Sequence, residues 1–100
     1  MLHTVNKSPL QTNDLASCLG HLGTDGRLLM IEDGVYGALS GTEATRQLAG
    51  PAGEGRVYVL GPDLEARGVD AGTVADGVQV VDYAGFVQLV VDHGPHQAWV

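Results

Sequence analysis

A chain of 100 residues supports one compact core and is too short for two that fold independently, so residues 1–100 are read as a single domain. Hydrophobic residues make up 44% and charged residues 17%, with mean hydropathy +0.07, which excludes a disordered chain; a net charge of −7 disfavours any direct grip on nucleic acid. No run approaches the roughly 18 apolar residues of a membrane span, and Met1–Asn6 lacks the basic and apolar regions of a secretion signal, so the expected location is the cytoplasm.

The elements alternate along the chain. Leu2–Val5 is a short extended run. Ser8-Pro9-Leu10-Gln11 follows with Ser at an N-cap, Pro at N1 and Gln at N3, which reads as a helix entry. Leu15, Cys18, Leu19 and Leu22 recur at helical spacing, so a helix is expected over about 12–22, closed by Gly23. Arg27–Ile31 is a continuous apolar strand of the kind buried on both faces of a parallel sheet. Val35–Leu39 reads as a short helix capped by Asp33, and Thr42–Leu48 as another that ends at Gly50-Pro51.

Arg56–Leu60 is the third strand, and Gly61-Pro62-Asp63 opens a short helix through Arg67 that Gly68 stops. Val78–Val81 is the fourth. After it Asp82 caps a helix with Tyr83, Phe86, Val87 and Val90 on one side, although the strand propensity of Val87–Val91 also allows the second arm of a hairpin. Gly94-Pro95 breaks the chain, and His96–Val100 fits a last strand. The repeated βα order predicts an α/β domain of three layers, α/β/α, with a mostly parallel sheet of about five strands.

In such a sheet the loops after the strand carboxyl ends share one edge. Here they hold Asn6-Lys7-Ser8, Glu32-Asp33-Gly34, Gly61-Pro62-Asp63 and Asp82-Tyr83, residue types that also cap helices. No phosphate-binding glycine motif and no G-x-S-x-G is present, so nucleotide binding and ordinary hydrolase chemistry have no support. His3, His21, His93 and His96 lack metal-ligand spacing, and neither a metal nor another cofactor is expected. The single cysteine, Cys18, is either a small buried hydrophobe or a persulfide-forming thiol. In the second reading His21 at i+3 favours the thiolate when protonated and Asp14 at i−4 opposes it.

Several segments in order resemble the DsrH/TusB family of sulfur-relay subunits. They are Leu2–Pro9, Ile31–Tyr36, Tyr58–Gly68, Val81–Val87 and Gln97-Ala98-Trp99. The resemblance implies a small α/β subunit of a heterohexameric sulfurtransferase, two copies each of three related chains, in which sulfur passes between cysteines as persulfide. Ser17-Cys18-Leu19 is similar to the first-helix cysteine of the DsrH branch, which implies DsrE- and DsrF-like partners, a DsrC-like acceptor and dissimilatory sulfur oxidation, with Cys18 auxiliary and His21 its neighbour. The alternatives are a TusB-type subunit with TusC- and TusD-like partners and a TusE-like acceptor, serving 2-thiolation of the tRNA wobble uridine, and a purely structural subunit in which Cys18 packs. On any of these readings the chain is not expected to complete sulfur transfer alone.

Overall fold

The computed structural model describes all residues, Met1–Val100. Its frame is five parallel strands: β1 (Leu2–Val5), β2 (Arg27–Met30), β3 (Val57–Leu60), β4 (Gln79–Val81) and β5 (His96–Trp99), in the order β4-β3-β2-β1-β5. Four helices connect them: α1 (Asp14–His21), α2 (Glu43–Gly53), α3 (Gly61–Ala66) and α4 (Tyr83–His93), with 3-10 segments at Glu32–Ala38 and Ala71–Thr73. From β1 to β4 the chain steps in one direction across the sheet. Right-handed crossovers therefore place α1, α2 and α3 on one face, and the reversed step from β4 to β5 places α4 on the other. The expected three-layer α/β/α fold with a parallel sheet is what forms, and Val87–Val91 is helical, not a hairpin arm.

Alternating strand residues feed two cores. Val5, Leu28, Met30, Val57 and Val59 pack with Leu15, Cys18, Leu22, Val35, Leu48 and Leu64 from the three-helix side. Leu2, Leu29, Tyr58 and Leu60 meet Leu89 on the other, with Phe86 half-buried beside them. The first core is thick and the second thin.

Local boundaries depart from the sequence expectation where a competing contact wins. The Ser8 turn forms, with Leu10 N donating to Ser8 Oγ and Ser8 N to Gln11 Oε1, yet it stays a single turn and α1 starts only at Asp14. Glu32–Ala38 is a 3-10 segment that Asp33 does not cap; the Asp33 carboxylate is taken by Arg67. Helix α2 does not stop at Gly50-Pro51. Leu48 and Ala52, four apart, are both buried, and that packing carries the helix through Pro51 to Gly53, with the reversal made at Gly55 (φ 73°).

Gly34 marks a tight approach of the 3-10 segment to the end of β1: a Cβ there would collide with the Val5 carbonyl oxygen, a backbone atom with no room to yield. Gly20, on the exposed side of α1, would meet nothing within 4 Å. Thermal denaturation should therefore separate the two. Gly34→Ala is expected to lose on the order of 2–3 kcal/mol, whereas Gly20→Ala should be neutral or gain roughly 0.5–1 kcal/mol. Equal effects would contradict the packing described.

Candidate functional site

Cys18 lies on α1 with Leu15 three residues before and Leu22 four after, and all three are buried. The helix is turned so that Cys18 sits at the centre of the apolar stripe, while Leu19 is only half-buried. The thiol has 0% exposure and burial pushes its pKa up to about 12. At pH 8 such a thiol stays protonated. The surroundings supply no thiolate-favouring charge. His21 is exposed, its Nδ1 donates to the Ser17 carbonyl oxygen at 2.8 Å, and its ring rests 5.4 Å from that of Trp99. Asp14, one turn before Cys18, holds Oδ2 buried without a hydrogen-bond partner, which adds negative charge on the same helix.

The four polar loops do share the carboxyl edge of the sheet; side chains of two of them brace each other, the third caps its own helix, and Asn6 Oδ1 of the first is buried without a partner. Asp63 Oδ2 accepts from the Glu32 backbone N–H at 2.6 Å, which holds Glu32 at φ 49°. Asp33 Oδ1 accepts from Arg67 Nε at 2.9 Å and raises the guanidinium pKa further, joining the 3-10 segment to the end of α3. Asp82 Oδ1 accepts from Gly85 N at 2.8 Å as the N-cap of α4. No three His, Cys, Asp or Glu side chains are grouped to hold a metal, and no helix is long and apolar enough to cross a membrane.

The most unusual surface is the outer side of α4. The stripe that identified this helix in the sequence does not face the sheet as a unit. Phe86 and Leu89 point inward, whereas Tyr83, Val87 and Val91 stand 60%, 63% and 72% exposed, with Val90 exposed beside them. The helix is thus apolar on two sides, and only one is covered. On a chain of net charge −7, the only acidic or basic side chain of α4 besides His93 is Asp92 in its last turn, to which Gln88 donates at 2.9 Å. A bare apolar patch on one helix marks an association surface. A depression of about 330 Å³ lies between Pro9, Leu15, Tyr36, Leu39 and Ala44 on the three-helix face.

Fold and surface together describe a small α/β domain with one helix apolar on its outer side and its only thiol buried. A family model described as "DsrH like protein" matches residues 7–96, and the chain belongs to the DsrH/TusB family. It is 38% identical over 99% of its length to the whole of Protein TusB from Pectobacterium parmentieri, and 37% identical over the same span to Protein TusB from Escherichia coli K12. Among solved structures, it superposes on a protein of unknown function, MTH1491 from Methanobacterium thermoautotrophicum, with a TM-score of 0.71, 19% identity and coverage of 97% of this chain and 95% of that one. The ychN protein from E. coli gives 0.74, 15% identity and 97% coverage of each chain, so both likenesses concern the fold.

Sequence reasoning left two features unseen. The outward side of α4 could have been suspected from Tyr83, Phe86, Val87, Leu89, Val90 and Val91 taken together, which at about 100° per residue span roughly 200° of the helix, wider than a face covered on a single side needs. The pairing of His3 with Trp99 across 96 residues had no local signal.

A buried thiol should not react until the protein opens. Alkylation of native Cys18 at pH 8 is expected to be at least a hundredfold slower than in denaturant, and Cys18→Ser should cost about 1–3 kcal/mol because its hydroxyl is buried in an apolar core. Rapid labelling of the folded chain would show the thiol to be open.

Proposed function

We propose that the chain is a TusB-type subunit of a cytoplasmic sulfur-relay complex that leads to 2-thiolation of the tRNA wobble uridine, assembling with TusC- and TusD-like chains ahead of a TusE-like acceptor. The observation that carries this reading is the full-length similarity to two proteins named TusB at 37–38% identity. The dissimilatory, DsrEFH-type reading drawn from the sequence rested on a first-helix cysteine. That residue is closed off, so it does not favour that branch, and the TusB-type alternative takes its place.

Within such a complex Cys18 serves as packing and the partners carry the sulfur. Accepting sulfane sulfur requires a thiolate to attack the donor and displace its thiolate, and Cys18 presents neither charge nor access. The α4 surface is the site of assembly in this reading, with Tyr83, Val87 and Val91 buried against a related subunit in a heterohexamer with two copies of each chain. The net charge of −7 suits a chain that contacts proteins and leaves the tRNA to others.

Co-expression with TusC- and TusD-like chains tests both parts. Val87→Asp should leave the fold of the isolated chain within about 0.5 kcal/mol, because the position is exposed, yet weaken the complex at least about tenfold, or ~1.4 kcal/mol. In the same complex Cys18→Ala should still relay sulfur, and intact-mass analysis after loading with a persulfide donor should find no added sulfur on this chain. A complex indifferent to Val87→Asp, or a sulfur adduct that disappears in Cys18→Ala, contradicts the proposal.

A further inference from the structure

Three of the four histidines surround β5, and the atom each one faces determines its protonation chemistry. His21 Nδ1 faces a carbonyl oxygen, which only accepts, so that nitrogen bears a proton in either charge state. His96 Nε2 lies 2.8 Å from Thr4 Oγ1, a hydroxyl able to donate or accept, so this contact also survives protonation. His3 differs. Its Nδ1 accepts from Trp99 Nε1 at 3.1 Å, and an indole N–H can only donate; the ring is therefore neutral, with its proton on Nε2.

We propose that His3 and Trp99 form a neutral-histidine latch that holds the C-terminal strand in the sheet, and that protonation of His3 releases β5 from β1. A proton on Nδ1 would set two N–H groups against each other with His3 itself only 3% exposed. Strand β5 is prone to release because it is an edge strand paired to β1 alone, and of its four residues only Trp99 is partly buried. Release bares the edge of β1.

The charges around His3 all act in one sense. Burial first, then the Met1 ammonium, His21 from α1 and His96 from β5 lower its pKa below the ordinary 6.5. Asp14 is two turns away at the far end of α1. Arg27 of β2 directs its guanidinium to the Gly55 carbonyl and Tyr58 hydroxyl, and α4, with Asp92 and His93, lies across the sheet. Because the docked state has the lower pKa, the released state binds the proton more tightly. Docking is fully supported above 6.5 and is lost as pH falls below that value.

Trp99 is the only tryptophan, so the full chain reports on its own latch. Emission, the indole N–H resonance and amide protection of residues 97–99 would be followed from about pH 8 to about pH 4.5, in wild type and in His21→Gln, which removes quenching by the neighbouring imidazolium. Expected is a shift towards exposed-indole emission with loss of protection in β5, a midpoint below 6.5, and protection retained in β2 and β3. His3→Asn supplies a non-ionising acceptor and should flatten the transition. An unchanged indole resonance and unchanged β5 protection across the range would overturn the latch, as would the same transition in His3→Asn. Should His3→Asn fail to fold, nitrogen shifts of wild-type His3 decide: a proton on Nδ1 at pH 8 also overturns it.

Discussion

The handedness of the strand crossovers organises this molecule. Three successive steps across a parallel sheet in one direction commit α1, α2 and α3 to the same face, and a single step in the other direction leaves α4 alone on the opposite one. One helix about 10 Å across cannot cover five strands spaced about 4.8 Å apart. The thin core of Leu2, Leu29, Tyr58, Leu60 and Leu89 follows from that geometry, and the outer side of α4, which is apolar, has no neighbour to cover it.

The two faces therefore have different chemistry. On the three-helix side the core closes over Cys18, and desolvation keeps its thiol protonated far above neutral pH. On the other side Tyr83, Val87 and Val91 meet solvent, where burial of a valine or tyrosine side chain against another chain is worth roughly 1.5–3 kcal/mol each before the costs of association. The polar carboxyl edge between them is occupied with its own support: Asp63 on Glu32, Asp33 on Arg67, Asp82 on Gly85.

The architecture was largely legible in the sequence because buried parallel strands are continuous apolar runs bounded by Gly, Asp and Pro, as at Val57–Leu60. What remained illegible was orientation and competition. Helical periodicity fixes the angle between Phe86 and Val87 but not which of them turns to the sheet, and α4 has apolar residues in both directions. Helical spacing leaves Cys18 open between a buried and a reachable position, whereas packing in one core with Val5, Leu28 and Met30 closes it off. Asp33 is a sound helix cap by type, but Arg67, 34 residues away, offers its carboxylate a charged partner; Gly50-Pro51 is a sound stop, but Ala52 gains more by burial.

Hydrogen exchange across the chain, free and in complex with TusC- and TusD-like subunits, tests the central claim most directly: that α4 is the assembly surface and α1 is interior support. The expected result is strong added protection on residues 83–91 with little change over residues 14–21. Added protection centred on residues 14–21, with α4 left as it was in the free chain, would contradict it.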